Sequence, residues 1–289
     1  MDIIMDLLLT PFSYFIEPSK RLFWLFLISA LVMASLSVTI QSKKFDLIQQ
    51  LKSLLNRRYW LNISTATDVF YVFINNTVRL LLITPLIGSH LAATIFFGSL
   101  LQTTFGDAPT LAVPAVWVGL LYACVFFILE DFSRFGVHYA MHKLPWLWRF
   151  HKVHHSATVL TPLTVHRVHP IEMSLYTLRG FFVFGVVSGV FVYLFKDNIQ
   201  SWQILGVDIL GFLFNVFGAN LRHSHIRLSF GKLERWLISP AQHQIHHSNA
   251  PEHRDKNLGV ALACWDRWFN TWAPNNTKEN LTFGLVRQG

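Results

Sequence analysis

The chain has few charged residues, few cysteines and few carboxylates. Asp, Glu, Lys and Arg make up 14% of its 289 residues, whereas soluble domains carry about a quarter. This composition excludes a disordered chain and argues against a soluble enzyme. The 2 cysteines form no CxxC pair, which excludes a disulfide scaffold and a zinc finger. The 16 acidic residues are outnumbered by 24 Lys and Arg, so the net charge is +8.

The chain contains long apolar runs, and 52% of its residues are hydrophobic. Residues 22–40 carry no charge and are long enough to cross a hydrocarbon core of about 30 Å. Acidic residues precede this run and no small-residue cleavage site does, so we interpret it as a retained anchor and not as a signal peptide. Further apolar runs follow at 69–105, 111–129, 181–195 and 199–218. These runs predict an all-α integral membrane protein with about five transmembrane helices, one anchor followed by two hairpins.

Basic residues lie on one side of this predicted arrangement. The segment after the anchor and the segment after the last span carry many of them, whereas the two hairpin turns together carry one Lys and no Arg. Because cytoplasmic loops are enriched in Lys and Arg, we expect these segments to face the cytoplasm, in a bacterial inner membrane or the ER. The positive charge therefore fits membrane topology and anionic headgroups, and no motif indicates nucleic-acid binding.

Histidine is the unusual residue of this chain, with 14 copies. Twelve lie between residues 138 and 247, and eight of them form one HxxxH and two HxxHH clusters: His138, His142, His151, His154, His155, His243, His246 and His247. Residues three and four apart share a helix face, so each cluster presents several imidazoles together. Imidazole is a preferred ligand of divalent transition metals. Eight imidazoles exceed what one ion can take, which indicates two metals.

The neighbours of these histidines exclude two common metal sites. The zincin motif HExxH has a glutamate after its first histidine, and Tyr139 and Lys152 occupy the corresponding positions here. Soluble di-iron bundles use Glu-x-x-His pairs, and no Asp or Glu of this chain has a histidine three residues later. The predicted site is therefore rich in histidine and poor in carboxylate.

The three histidine clusters resemble those of the fatty acid hydroxylase / sterol desaturase superfamily, a family of integral-membrane non-haem di-iron oxygenases. That family is marked by an HxxxH box followed by two HxxHH boxes. The sequence also resembles further family motifs at Thr161-Pro162, at His169-Pro170 with Glu172, and at Asn220-Leu-Arg-His223-Ser224. It resembles the C-terminal signature at Asn257-x-Gly259 and Trp265-Asp266-x-x-Phe269-x-Thr271, so that the resemblance covers roughly residues 115–275.

The resemblance implies a cytosolic helical cap that holds two iron ions, for which zinc can substitute in purified protein. The eight box histidines are then ligands, His223 is a ninth, and His169 is a tenth or orients another ligand. We expect a single domain over 1–289, with mainly membrane anchors in 1–135 and the catalytic region in 136–289, including the second hairpin near 177–218. The implied reaction is O2-dependent hydroxylation or desaturation of a lipid C–H bond, with electrons from a separate reductase, ferredoxin or cytochrome b5.

Residues that orient the ligands can also be predicted, because a metal-bound histidine usually donates its other N–H to a carboxylate or carbonyl. The candidate carboxylates are Glu130, Asp131, Glu172 and Asp266, and His166 and His225 are further candidates, either as ligands or as residues that orient a ligand. For each carboxylate, an interfacial charge or a helix cap is the alternative interpretation.

Two other functions are compatible with clustered histidines. A metal transporter would place its ligands within the spans near the bilayer midplane, whereas these clusters lie in polar segments after the spans; metal flux without substrate oxidation would identify it. A haem protein with paired axial histidines would show a Soret band and would leave most of the clustered histidines unexplained. Sterol, fatty acyl, sphingolipid, ether lipid and carotenoid substrates all fit the hydroxylase interpretation.

Overall fold

The protein is built of helices, as a computed structural model shows for residues 3–108, 111, 113–195, 209–275 and 280–285. No β-strand occurs among these residues, where extended pairing is limited to isolated bridges that join Leu237 to Leu262 and Ser248 to Phe283. The prediction of an all-α protein is therefore confirmed.

The first half of the chain contains helices α1 (Ile3–Ser13), α2 (Trp24–Ser42), α3 (Leu47–Leu54), α4 (Arg57–Trp60), α5 (Ile63–Val78), α6 (Thr84–Ile87) and α7 (His90–Phe105). The second half contains α8 (Ala115–Lys143), α9 (Pro145–His155), α10 (Pro170–Phe195), α11 (Ile209–Val216), α12 (Pro240–His247) and α13 (Cys264–Trp268). A π-helical turn, Arg79–Ile83, joins α5 to α6, and short 3-10 turns occur at Pro162–His166 and Ala219–His223.

Four helical segments are long and apolar enough to cross a membrane: Trp24–Ser42, Ile63–Phe105, Ala115–Lys143 and Pro170–Phe195. They overlap the first four predicted spans, so the protein is a multi-pass membrane protein. The fifth predicted span, 199–218, is helical in α11, and residues 199–208 lie outside the described residues. The total of about five spans therefore stays a prediction.

Two of these segments extend beyond their apolar runs into the histidine region. Helix α8 contains no proline and continues past Glu130 and Asp131 to His142. Helix α10 begins at Pro170 and carries Glu172 in its first turn. Two membrane helices therefore extend directly into the histidine region.

Helices α7 and α10 pack with their backbones close together. A Cβ added at Gly185 would lie 2.7 Å from Ala93 Cβ, and one at Gly189 would lie 2.9 Å from the backbone nitrogen of Gly98. Neither position can hold a larger residue without movement, and small residues at such spacing are common where membrane helices associate. This contact fixes the position of α10, and with it Glu172.

Helix α12 forms the polar core of the histidine region. It begins with a capping box in which Ser239 and Gln242 satisfy each other's backbone N–H groups, and all of its residues are buried. Gln244 Nε2 donates to the carbonyl oxygens of Leu221 at 3.0 Å and Ile226 at 2.8 Å. Because its buried amides are hydrogen-bonded, a helix with three histidines can lie in the interior.

Candidate metal centre

Nine histidines form two groups within the described residues. Group one consists of His138, His142, His151, His155 and His246, and group two consists of His154, His223, His243 and His247. In each group, one potential ligand atom per residue lies within 4.8 Å of the others. The structure thus brings together nine of the ten histidines predicted as ligands.

Helices α9 and α12 each contribute histidines to both groups. Helix α9 gives His151 and His155 to group one and His154 to group two, whereas α12 gives His243 and His247 to group two and His246 to group one. In an HxxHH box the first and fifth residues lie on one stripe of the helix, and the fourth is rotated from the fifth by about 100°. Each box can therefore reach two sites at once, and the two groups lie side by side.

The spacing of the ring nitrogens fits ligands of a common ion. The Nε2 atoms of His138 and His151 are 3.1 Å apart in group one. In group two, His223 Nε2 lies 3.1 Å from those of His243 and His247. Two nitrogens bound about 2.0–2.1 Å from one metal, at tetrahedral or adjacent octahedral positions, would be about 2.8–3.4 Å apart.

Unpartnered nitrogen atoms in group one point to the same interpretation. The Nε2 atoms of His142, His155 and His246 are buried and have no hydrogen-bond partner in the described part of the chain. Buried polar atoms are otherwise almost always paired. An all-imidazole donor set with free lone pairs fits a divalent transition metal such as iron or zinc.

Burial keeps these imidazoles in the form that binds metal. It lowers the pKa of His151 to about 3. Burial, followed by repulsion from His151, also lowers the pKa of His154 to about 3. Burial and neighbouring histidines hold the pKa values of His243 and His247 well below their usual range. The rings are therefore neutral near pH 7, as metal binding requires.

Carboxylates orient two histidines of group one. His151 Nδ1 donates to Glu172 Oε1 at 2.8 Å, which is the role predicted for Glu172. His142 Nδ1 donates to Asp255 Oδ1 at 3.2 Å. Asp255 is not among the predicted residues; it lies beyond all three boxes, and backbone at φ 56° brings it back to α8.

Backbone carbonyl oxygens accept hydrogen bonds from three other histidines of the two groups. In group one, His138 Nδ1 donates to the oxygen of Leu258 at 2.6 Å, and His246 Nδ1 donates to that of Lys256 at 3.0 Å. In group two, His154 Nδ1 donates to the oxygen of Arg167 at 3.2 Å. No residue pattern marks a carbonyl, so these partners could not be identified from the sequence.

Asp266 holds the loop that carries Leu258, whose carbonyl accepts from His138 of group one. Its carboxylate accepts from the backbone nitrogens of Leu258 and Gly259, both at 2.7 Å, and from Thr271 Oγ1 at 2.6 Å. A Cβ at Gly259 would lie 2.6 Å from Asp266 Oδ2. This contact explains why the Asn-x-Gly and Trp-Asp motifs occur together.

Asp131 holds the next part of the same loop. Its carboxylate accepts from the backbone nitrogen of Ala261 at 2.8 Å and from Trp265 Nε1 at 2.9 Å. Asp131 and Asp266 thus act on the loop and do not contact a histidine of either group, which differs from the direct contact predicted from the sequence.

A buried ion pair supports the Arg167 carbonyl. Arg167 Nε lies 3.0 Å from Asp68 Oδ1, and Asp68 Oδ2 accepts from Thr164 Oγ1 at 2.7 Å. Asp68 lies on α5 and is fully buried. This residue is also absent from the predicted site, although an ionisable side chain inside an apolar segment is itself a signal of function.

The remaining candidates lie outside both groups. Glu130 pairs with Arg179 at 2.7 Å, His166 stacks on Tyr14, and His225 stacks on Tyr59 with ring centroids 3.8 Å apart. His169 Nδ1 accepts from the backbone nitrogen of Ile171 at 3.1 Å, at the start of α10. The described geometry gives none of these four side chains a contact with the nine grouped histidines.

The family of the chain follows from comparison with known proteins. Residues 123–271 match the family model described as fatty acid hydroxylase. The match covers more than half of the 289 residues. The chain belongs to the fatty acid hydroxylase family.

Each of three curated relatives matches more than half of the chain. An alkylglycerol monooxygenase from Caenorhabditis elegans is 26% identical over 60% of this chain and 30% of its own length. An ornithine lipid hydroxylase from Rhizobium tropici is 25% identical over 61% of this chain and 50% of its own length. A cholesterol 25-hydroxylase-like protein from C. elegans is 29% identical over 57% of this chain and 47% of its own length.

The chain thus spans half or less of the length of these relatives, and all three are named as hydroxylases or monooxygenases. No solved structure matches the chain.

Proposed function

We propose that this protein is an oxidoreductase that hydroxylates a C–H bond of a lipid with O2, using two iron ions held by the nine grouped histidines. Desaturation is the alternative outcome at the same site. The observation that carries the proposal is the pair of adjacent all-histidine groups in a chain of the fatty acid hydroxylase family with four candidate membrane spans. The names of the relatives, which refer to alkylglycerol, ornithine lipid and cholesterol, support a lipid substrate.

The chain has a limited chemical task in this reaction. Two bound irons would supply the redox chemistry that attacks an unactivated C–H bond, which side chains cannot perform. The protein holds the imidazoles neutral, and Glu172 and Asp255 fix the orientation of two of them. Such outer contacts also raise the basicity of the ligands. His169, although it lies outside both groups, remains the candidate for a tenth ligand.

Orientation and electron supply belong to the same proposal. We place the histidine groups on the cytoplasmic side, because the basic segments near 43–58 and 222–256 lie on that side of the predicted topology. Electrons would come from a reductase, ferredoxin or cytochrome b5 type donor, since these 289 residues contain no recognisable flavin or cytochrome motif.

Metal content and product analysis test the proposal together. Protein purified from iron-supplied cells should contain about two irons per chain and consume O2 when lipid and reductant are added. Lipids of a strain that lacks the protein should include one species that is lighter by a single oxygen atom than its counterpart in the parent strain. In a desaturase, the corresponding species would be heavier by two hydrogens.

A matched pair of variants gives the control. His154→Ala should abolish turnover while the protein still inserts into membranes, whereas His90→Ala should retain activity because His90 packs against Phe184 outside both groups. Metal transport by wild-type protein without lipid oxidation would instead favour the transporter.

A further inference from the structure

A cluster of cationic side chains lies close to group two and has few acidic partners. Lys20 and Arg21 lie between α1 and α2, and Arg79 follows α5. The Arg79 side chain makes no hydrogen bond or ion pair with any described residue. The guanidinium of Arg21 donates to the neutral amide oxygen of Asn215, so neither arginine has a carboxylate partner in the described part of the chain.

Contacts through two rings bring these cations together. Lys20 Nζ lies 5.1 Å from the centroid of the Tyr14 ring, and Tyr14 stacks on His166 with centroids 5.8 Å apart. Tyr14 Oη donates to Asn76 Oδ1 at 3.2 Å. Asn76 lies three residues before Arg79 and thus on the same helix face. Lys20 and Arg79 are therefore neighbours of the same pair of rings.

The pKa values of His166 and Lys20 show that positive charges lie close together in this cluster. Burial, followed by the charges of Arg79, Lys20 and Arg21, lowers the pKa of His166 to about 4. Burial and the charge of Arg79 also lower the pKa of Lys20. The carboxylate nearest to Lys20 is Glu17, at 3.8 Å. Among the described residues, these three cations have one carboxylate in contact, which leaves an excess of positive charge in this part of the structure.

The cluster adjoins two ligands of group two. His166 directly precedes Arg167, whose carbonyl accepts from His154. Asn220 Nδ2 donates to the carbonyl oxygen of Arg21 at 2.9 Å, and Asn220 lies in the 3-10 turn that ends at His223. A molecule bound by these cations would therefore lie beside the metal centre.

We propose that Lys20, Arg21 and Arg79 bind the anionic headgroup of the lipid substrate, a phosphate, carboxylate or sulfate. This inference rests on the proposed function and names the class of lipid that the site takes. Removing cations from water is costly unless an anion accompanies them. Guanidinium groups bind such anions through strong charge-assisted hydrogen bonds. An ionisable residue in an apolar segment, as Arg79 is, usually faces the protein interior or a cavity and marks a functional site.

Binding of a matched pair of probes tests the proposal without requiring turnover. The purified metal-loaded protein is titrated with a spin-labelled stearic acid and with its methyl ester, at an alkaline pH where the acid is ionised. The immobilised fraction of each probe is measured by electron paramagnetic resonance. We expect the acid to bind at least about ten-fold more tightly than the ester, which has the same chain without the charge.

Charge variants locate the site. Arg21→Gln and Arg79→Gln should each weaken binding of the acid about ten-fold and leave binding of the ester unchanged. Arg79→Lys, which keeps the charge, should retain most of the affinity. Lys52→Gln on the exposed side of α3 removes a cation elsewhere and should change neither probe. Equal affinity for acid and ester, or unaltered acid binding in both glutamine variants, would overturn the proposal.

Two further measurements distinguish a lipid headgroup site from a free-anion site and from a site that depends on the metals. If inorganic phosphate displaces the spin-labelled acid as effectively as a dodecyl phosphate does, the site binds a free anion and the lipid assignment is wrong. Iron content is measured on every variant, and an unchanged value with weakened acid binding supports a headgroup site distinct from the metal ligands. A wild-type protein that binds the acid and oxidises no lipid would contradict the proposed function while supporting the headgroup site.

Discussion

The two histidine groups both consist of imidazoles, but these imidazoles have different hydrogen-bond partners in each group. In group one, carboxylates of Glu172 and Asp255 accept hydrogen bonds from two ligands. In group two, His154 donates to a neutral carbonyl, and His243 Nδ1 is buried without a hydrogen-bond partner among the described residues. Anionic partners offset the charge of a metal and raise the basicity of its ligands. We therefore expect the two ions to be held unequally, with group one the tighter site.

The largest effect should come from removing one ligand of each group. His142→Ala should lower the metal content from about two ions to about one through loss at group one, and His247→Ala should do the same at group two. Turnover should fall below detection in both, because the proposed reaction uses both ions. Metal analysis and oxygen consumption measure these effects. Retention of both ions in either variant would contradict the assignment of that group.

A smaller effect should follow from removing the carboxylate behind a ligand. Glu172→Ala should weaken metal binding at group one by about ten- to hundred-fold and leave group two unchanged. In a titration with a chelator, the wild type should release its two ions in two steps, because group one binds more tightly. The variant should release both ions in one step, because the affinities of the two groups are then similar. Glu130→Gln is the control, because Glu130 pairs with Arg179 and contacts neither group. If Glu172→Ala weakened both groups alike, the selective role of Glu172 would be wrong.

The matching test for group two uses the ion pair on α5. Asp68→Asn removes the charge that holds Arg167, and the carbonyl of Arg167 accepts from His154. We expect metal binding at group two to weaken by about ten-fold, at the lower end of such effects. The difference in metal affinity between group one and group two should then increase. Asp107→Asn in an exposed loop is the control. Equal losses at both groups would indicate general destabilisation and contradict a positioning role for Asp68.

The smallest effect should come from His169, which caps a helix in this structure. Its Nδ1 accepts from the backbone nitrogen of Ile171, and loss of such a cap costs about 1 kcal/mol of stability. We expect His169→Ala to keep both ions and to lower the unfolding temperature slightly in a thermal melt. Loss of one ion in this variant would instead support His169 as the tenth ligand.

Residue spacing was sufficient to predict which histidines come together in the two groups. The HxxxH and HxxHH patterns place their histidines on shared helix faces, and nine of the ten predicted histidines come together. Glu172 was also predicted, because a motif links it to His169. The four described spans follow from long apolar runs, which need no tertiary information.

Other parts of the site depend on contacts between distant segments. Asp255 reaches His142 through a loop, and Asp68 acts from a membrane helix through Arg167. Neither residue belongs to a spacing pattern, and the single sequence signal at Asp68 is that an ionisable side chain lies in an apolar segment. Asp131 and Asp266 were predicted to contact ligands directly, whereas in the structure they accept hydrogen bonds from the loop at 257–263 and contact none of the grouped histidines.

Residue types and their spacing alone define the composition of the centre: a membrane chain, poor in carboxylate, with enough clustered imidazole for two ions. The division of the histidines between the two groups depends on the folded structure. Helices α9 and α12 each contribute two histidines to one group and one to the other. Helix periodicity fixes the directions of side chains relative to their own axis. The relative placement of two helices, which fixes where those directions meet, comes from packing across the whole fold.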